Sequence, residues 1–494
     1  MSIGHKTESR RFISDVIWVG VSQLTMSLAG LAILPALTKG YPLQIYGLWS
    51  QMLVTVGLLH ILTLKFDSAM IRFLAAEENR NNRRQAFDTM LWPVVTAILL
   101  IIIISFLLRN DLAKFIFTDI TYARFVPLVF IWASTEALFL FSLSYLRARS
   151  KIKGFSIIRL AFAITRMLVI VSLALLEYEF FWLVVGVILV QGLFVVLIFS
   201  LIFRDIGLPQ IKFAGLKKYL TYSVPMLPGD VLFWIVMASD RYFITHFLSI
   251  SQTGIYYASA VLANLIGLLS WPIGIVLFPA VTRLWEQKDI VKVGSYFQYS
   301  LKLFLTLAVP AAGGLYVLSQ PLLNVFTTSE FLVEGTLILL LAIGELFIGI
   351  SVINEYQIFL VKKTKWLPLI YAIGAGTNAG INIVLIPKIG IFGAAISTIV
   401  SYSLLSVIIT FWGRKMIDYK LDFSYALKVV LATTIMIGCL WFIDFKGIIG
   451  VIALIIIGIV IYGLVIFLLR AFSRQDMAVI KEALSGFKNK IKSS

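Results

Sequence analysis

The sequence contains 494 residues, of which 60% are hydrophobic and 14% are charged, and its mean hydropathy is +0.96. A soluble globule of this length needs more polar surface, so the composition excludes that class and predicts a membrane protein with many spans. The formal net charge of +17 would suit nucleic acid only if the basic residues shared one face or domain, and here they lie in short segments between apolar runs. The single cysteine, Cys439, permits no intrachain disulfide and supplies no set of thiol ligands for a metal.

Runs of about 20 apolar residues predict fourteen transmembrane helices. In chain order these runs cover 12–37, 43–66, 89–108, 122–146, 155–176, 180–203, 220–247, 254–281, 301–319, 331–360, 366–386, 390–412, 425–443 and 447–470. The first run follows the basic segment MSIGHKTESRR and is too long for the apolar core of a signal peptide. It is therefore predicted to be a retained first span.

The Lys and Arg residues predict the orientation of these helices. With the N-terminus inside, the cytoplasmic loops and both tails hold 34 of the 42 basic residues, and the outer loops hold six. The positive-inside rule therefore places both termini in the cytoplasm. The outer loops are too short for a folded domain. The basic tail, 471–494, fits either an amphipathic helix on anionic lipid or a solvated tail.

An internal repeat divides the chain. Residues 37–59 overlay 244–269 around Gly47-Leu48-Trp49 and Gly254-Ile255-Tyr256, and residues 145–151 overlay 359–365. The offsets, 207 to 214 residues, each correspond to about six helices, so both copies have the same orientation. The repeat predicts an all-α fold with two parallel six-helix lobes, 1–218 and 219–424, and two appended helices in 425–470.

Two stretches carry a resemblance to a known family. The first contains SVPMLPGD, SDRYFITHFL and GIYY within 223–257, and the second is NAGINIVLIPKIGIFGAAISTIVSY at 378–402. With these motifs, and with its length and loop polarity, the chain resembles the polysaccharide flippases of the O-antigen and exopolysaccharide type. That family shares a superfamily with the lipid II flippases and the multidrug-and-toxin-extrusion (MATE) exporters.

The resemblance implies a V-shaped pair of helix bundles around a hydrophilic cavity. It also implies transport of an undecaprenyl-diphosphate-linked oligosaccharide from the cytoplasmic to the outer leaflet of a bacterial inner membrane, by alternating access. The task would serve the biosynthesis of surface polysaccharide such as the O-antigen of lipopolysaccharide. The partners would be this lipid-linked substrate, membrane lipids and other polysaccharide-assembly proteins. In relatives the cavity tends to be cationic, which matches a diphosphate.

Two other functions are alternatives to transport of a lipid-linked oligosaccharide. An ion-coupled multidrug or cation exporter of the MATE type would share the fold and prefer an acidic cavity. A glycan polymerase or ligase would need catalytic residues on a substantial outer loop. The sequence contains no Gly-rich phosphate loop, no His cluster with metal spacing and no nucleophile motif, so it predicts no enzymatic activity, cofactor or metal. Transport would then be driven by an H⁺ or Na⁺ gradient.

Arg166 and Glu136 are predicted to lie at the same depth, because each is ten residues from the hairpin that joins helices 4 and 5. They can form an ion pair that only holds the two helices together. In the functional alternative, Arg166 faces the cavity and binds phosphate when Glu136 is protonated, so that ion flow is coupled to transport.

Asp240 and Arg241 lie in predicted helix 7 and point about 100° apart, so they are poorly placed to pair with each other. They are candidates for a gate or inter-helix contact, or, for Arg241, for direct substrate contact. Pro225 and Pro228 are predicted to break the start of this helix.

Four further polar residues fall inside predicted helices. Glu345, in helix 10, is either an ion-coupling group or a hydrogen-bonded structural acid. Asn264, Asn378 and Asn382 are candidates for polar contacts between helices or for contacts with sugar hydroxyls. Asn378 and Asn382 are four residues apart and so share one helix face.

Overall fold

The fold was described from a computed structural model that covers residues 2–443, 445 and 447–471, with side chains from Trp18 onward except Trp271. This part of the chain is helical and contains no β-strand. Fourteen of its segments are long and apolar enough to cross a membrane, which confirms the predicted number. These spans 1 to 14 are, in order, Trp18–Gly40, Leu43–Thr63, Arg80–Leu107, Ile120–Ala148, Ile152–Leu175, Phe180–Ile206, Leu216–Ala238, Ile250–Glu286, Ile290–Val317, Gly335–Leu360, Thr364–Ile389, Ile391–Met416, Phe423–Trp441 and Gly447–Leu468. The alternatives for the tail at 472–494 lie outside the described residues.

Short helices occupy several of the loops. Phe66–Leu74 follows span 2 and Asp240–Phe247 follows span 7. Arg109–Phe117 and Ser319–Phe326 follow spans 3 and 9, where the sequence predicted the longest outer loops. The spacing in sequence between the starts of these last two helices falls within the range of the repeat offsets. A short helix at this position is therefore part of the repeated unit.

The glycines that anchor the repeat contact each other. A Cβ added to Gly47 would lie 1.9 Å from the carbonyl oxygen of Ile250 and 3.3 Å from the amide nitrogen of Gly254. A Cβ added to Gly254 would lie 3.0 Å from the amide nitrogen of Gly47. Spans 2 and 8 therefore cross backbone against backbone, as small residues allow within membranes. Such reciprocal contact is expected when equivalent positions of two repeats meet at their symmetry axis.

The helix starts follow local sequence signals. Asn79 precedes span 3, and its Oδ1 accepts hydrogen bonds from the amides of Asn81 and Asn82 at 2.8 and 3.3 Å. The predicted break at the start of span 7 is confirmed. Pro225 lies in a 3₁₀ turn, Val224–Met226, and Pro228 lies in the first turn of the helix Leu227–Ala238, where a missing N–H is tolerated.

The described chain divides into two compact units. The first contains residues 1–261, 326–331 and 365–401, and the second contains 262–325, 332–364 and 402 onward. This division groups spans 7 and 11 and the first parts of spans 8 and 12 with the first six spans. It differs from the lobes because it follows packing, whereas the lobes follow the repeat. The lobe limits at 218 and 424 stay a prediction.

The first unit contains a large aromatic and aliphatic core, to which spans 3 to 6 and the short helix Phe66–Leu74 contribute. Phe87 and Tyr145 are fully buried there, with ring centroids 5.6 Å apart and nearly perpendicular planes. The segment after span 6 runs along span 3, where the indole of Trp92 donates to the carbonyl of Gln210 at 2.8 Å.

In the second unit, span 13 packs along span 9, and span 14 packs on span 13. Asp422 caps the start of span 13 by accepting from the amide of Tyr425 at 3.0 Å. The same carboxylate forms a 2.9 Å salt bridge with Lys302 of span 9. The helix pair that was predicted to be appended to the repeat is therefore attached through the ninth span.

Candidate functional site

The two arginines predicted inside the membrane lie beside the same aromatic side chain. The guanidinium carbon of Arg241 is 4.4 Å from the ring centroid of Tyr257. Arg166, on span 5, is close enough to Tyr257 for an electrostatic interaction with it. Both arginines and Tyr257 are half-buried and belong to the first unit. Cation–π contact stabilises a cation such as Arg241 by about 0.5–2 kcal/mol, and Arg166 makes its own cation–π contact with Phe162 at 5.2 Å.

Tyr257 is held in place by a second tyrosine. Its ring stacks on that of Tyr46, with centroids 5.7 Å apart, and Tyr46 in turn contacts Phe331 edge to face at 5.4 Å. Tyr46 is 2% exposed, so the support is rigid. Sequence reasoning missed Tyr257 as a site residue, although it belongs to the GIYY motif that carried the resemblance.

Glu136 has a neutral hydrogen-bond partner. The side-chain amide of Gln191, on span 6, donates to Glu136 Oε2. Glu136 also attracts Arg166 and Arg159 electrostatically. The predicted relation between Glu136 and Arg166 is therefore electrostatic, while the direct hydrogen bond goes to a residue that sequence reasoning did not select.

Arg159 is a further basic residue that lies within a span. Span 5 begins at Ile152, three residues before the predicted start, so Arg159 lies two turns inside the helix. Its Nη2 donates to Gln23 Oε1 of span 1 at 3.0 Å. Lys302 likewise lies within span 9, which begins eleven residues before its predicted start. Both spans begin earlier than predicted, because polar residues at the helix starts shortened the apolar runs.

Asp240 lies at the start of the short helix that follows span 7 and is 5% exposed. Its Oδ2 accepts hydrogen bonds from the hydroxyls of Tyr256 at 2.6 Å and Thr398 at 2.9 Å. Its Oδ1 is buried and has no hydrogen-bond partner among the described residues. Asp240 and Arg241 thus contact different groups, as their angular separation predicted.

Asn378 and Asn382, on span 11, form a second polar cluster. The amide of Asn382 donates to Asn378 Oδ1 at 2.9 Å, and the hydroxyl of Ser239 donates to the same oxygen at 3.2 Å. Both asparagines are fully buried, yet Asn378 Nδ2 and Asn382 Oδ1 have no partner in the part of the chain that the structure describes. Ser239 precedes Asp240, so the asparagine cluster and the aspartate network are joined through adjacent backbone positions.

The remaining two predicted residues belong to the second unit. Asn264 lies in a turn that interrupts span 8, between the helix Ile250–Ala263 and the 3₁₀ turn Gly267–Leu269. Glu345, on span 10, packs against this interruption, because a Cβ added to Gly267 would lie 2.5 Å from Glu345 Oε2. Arg166, Arg241, Glu136, Asp240, Asn378 and Asn382 all belong to the first unit.

Residues 44–334 match the model of a family described as polysaccharide biosynthesis protein. The chain belongs to this family. It is 23% identical over 267 residues to the "Probable low-salt glycan biosynthesis flippase Agl15" of Haloferax volcanii, with 54% of this chain and 56% of that protein covered. It is 27% identical over 220 residues to the "Probable lipid II flippase MurJ" of Bdellovibrio bacteriovorus, with 42% of each chain covered. The chain matches about half the length of these curated relatives.

Solved structures share the fold. The inward closed conformation of the lipid II flippase MurJ has a TM-score of 0.77 at 16% identity, covering 91% of this chain and 98% of that one. An inward-facing MATE multidrug resistance transporter has a TM-score of 0.61 at 12% identity, covering 83% and 94%. These similarities confirm the predicted all-α, MATE-like fold. The named relatives are flippases and transporters, in agreement with the prediction that this chain is not an enzyme.

Proposed function

We propose that this protein is a flippase that moves an undecaprenyl-diphosphate-linked oligosaccharide from the cytoplasmic to the outer leaflet for surface polysaccharide biosynthesis. It would act in the bacterial inner membrane by alternating access, with both termini in the cytoplasm. Family membership supports the link to polysaccharide, the name of one relative supports a flippase in glycan biosynthesis, and the name of another supports a lipid-linked substrate.

The observation that carries the proposal is the placement of Arg166 and Arg241 beside Tyr257. Two guanidinium groups that both interact with Tyr257 can together attract a multivalent anion. Arg166 Nε is buried without a hydrogen-bond partner in the described residues, so a donor is available. A diphosphate matches this arrangement, because its oxygens accept the paired hydrogen bonds of guanidinium groups.

Ion coupling is proposed at Asp240 rather than at the arginines. Its free Oδ1 lies in a buried setting beside two hydroxyls, Tyr256 and Thr398, and next to the asparagine cluster. Carboxylate, hydroxyl and amide oxygens suit either a proton or Na⁺. Glu136 and Glu345 stay further candidates for coupling, and Asn264, Asn378 and Asn382 stay candidates for contact with sugar or with neighbouring helices.

The test is transport by the purified full chain in liposomes. A fluorescent undecaprenyl-diphosphate oligosaccharide is reconstituted, and its movement is followed by quenching from one side. Arg241→Lys and Arg166→Lys each keep the charge but lose the planar fork, so we expect initial rates lower by about tenfold or more. Arg109→Lys, in an outer loop, is the matched control and should transport normally. Wild-type rates for both test variants would contradict phosphate recognition by these arginines.

The MATE-type exporter is the second candidate, favoured by the structural similarity and by the buried carboxylates. Its assay is export of an organic-cation dye from the same liposomes under an H⁺ or Na⁺ gradient. Dye export without movement of the lipid-linked glycan would replace the flippase proposal.

A further inference from the structure

A second basic site lies between the end of span 2 and the helix Leu227–Ala238 of span 7. Here a cleft of about 280 Å³ is lined by His60 and Thr63 from span 2, by Lys65 just after it, and by Asp230 and Trp234 from span 7. The rest of its wall is mainly apolar, and all of it belongs to the first unit. We name it the Lys65 cleft. By the predicted orientation it lies toward the cytoplasmic end of span 2.

The backbone holds Lys65 in an unusual conformation. Span 2 tightens into a 3₁₀ turn, Leu59–Thr63, and both Leu64 and Lys65 then have positive φ angles of 51° and 57°. Neither residue is glycine, so each left-handed position costs of order 1–3 kcal/mol. The amide of Lys65 donates to Thr63 Oγ1 at 3.2 Å, and the fully buried Phe66 starts the next helix. The strained backbone at these two residues therefore positions Lys65 at the cleft.

The charges in the cleft are unequally exposed. Lys65 Nζ forms a 2.6 Å salt bridge with Asp230 Oδ2, and the side chains are 19% and 45% exposed respectively. The cation is thus shielded, while its acidic partner is open to water and can be hydrated after release. Close by, His60 Nε2 is buried and has no hydrogen-bond partner among the described residues. The cleft therefore holds two nitrogen groups, Lys65 Nζ and His60 Nε2, and one carboxylate, that of Asp230.

We propose that the Lys65 cleft binds a lipid-borne phosphate, with Lys65 exchanging Asp230 for a phosphate oxygen. His60 Nε2 donates the second hydrogen bond, and the apolar wall, including Trp234, contacts the lipid chain. Trp234 is fixed for this contact because its indole donates to the carbonyl of Val54 at 3.2 Å. Release of Asp230 frees the first turn of the helix Leu227–Ala238, the segment that leads to Arg241. The expected source of the phosphate is the polyprenyl diphosphate carrier, and this assignment of the source rests on the proposed function.

The inference is tested by binding to the purified full chain in detergent. The probes are undecaprenyl diphosphate, undecaprenol and phosphatidylglycerol, each titrated by microscale thermophoresis. Lys65→Met should weaken binding of the diphosphate at least tenfold and leave undecaprenol unchanged. Asp230→Asn should tighten binding of the diphosphate severalfold, because it removes the competing carboxylate. Lys217→Met, which changes an exposed lysine in the first turn of span 7, is the matched control and should bind all three probes as the wild type does.

The Asp230→Asn result separates this site from a merely structural salt bridge. Unchanged or weaker binding of both phosphate lipids by Asp230→Asn overturns the inference, as does equal loss of undecaprenol and diphosphate binding in Lys65→Met. Preference for undecaprenyl diphosphate supports the carrier as the source, and preference for phosphatidylglycerol supports a membrane phospholipid. Flipping in liposomes is measured separately, so normal flipping with unchanged binding would reject the cleft and leave the proposed function standing.

Discussion

The contact between Gly47 and Gly254 gives a prediction whose size follows from the structure. In Gly47→Ala the new Cβ would lie 1.9 Å from the carbonyl oxygen of Ile250, whereas ordinary contacts begin near 3.4 Å. Spans 2 and 8 must therefore separate locally by about 1.5 Å. Overpacking of this kind typically destabilises by about 1–3 kcal/mol. Gly254→Ala meets its nearest atoms at 3.0 to 3.2 Å, so a shift of a few tenths of an ångström suffices and the loss should be smaller.

The assay is thermal unfolding of the purified variants in one detergent, followed by intrinsic fluorescence. Gly380→Ala, in span 11, is the control, because no heavy atom lies within 4 Å of its added Cβ. Alanine favours a helix over glycine by up to about 1 kcal/mol, so this control should be as stable as the wild type or more so. We expect the unfolding temperature to rise in the order Gly47→Ala, Gly254→Ala, wild type and Gly380→Ala. If Gly47→Ala unfolds at the same temperature as Gly380→Ala, the close crossing of spans 2 and 8 is refuted.

Three further predictions concern carboxylates. Glu136→Gln, which keeps the shape but loses the charge that attracts Arg166, should slow flipping at normal expression, and unchanged glycan export would remove Glu136 from the coupling scheme. Asp240→Asn should abolish the dependence of transport on an imposed H⁺ or Na⁺ gradient in liposomes; a retained dependence would place coupling elsewhere. Hydrogen bonds from Lys302 and from the backbone amide at residue 425 hold the pKa of Asp422 below its usual value of 3.8. The stability that this carboxylate contributes is therefore complete above pH 3.8 and is lost as the pH falls through its lower pKa in the folded protein. Asp422→Asn should accordingly flatten the acid side of the plot of unfolding temperature against pH. An unchanged acid side would show that this salt bridge adds no stability.

The sequence determined the class of the protein and the number of its spans. Apolar runs and alternating basic loops are properties of each segment by itself, because a helix in lipid must satisfy its own backbone hydrogen bonds whatever it packs against. The same reasoning selected Arg166, Arg241 and Asp240, because a charge within an apolar run is visible without a structure. It was less exact at helix starts, where polar residues shortened the apolar runs, so that spans 5 and 9 begin before their predicted starts.

Partners between spans depend on which helix faces meet, and a single sequence carries little information about that. Thr398 is 158 residues from Asp240, and Gln191 is 55 residues from Glu136, yet each donates to the respective carboxylate. Tyr257 was inside a quoted motif, but only packing brought it beside both arginines. The Lys65 cleft was likewise hidden, since its salt bridge joins residues of different spans. The sequence by itself thus decided what crosses the membrane, because that depends on local hydrophobicity, whereas tertiary packing alone decided which polar groups meet inside it.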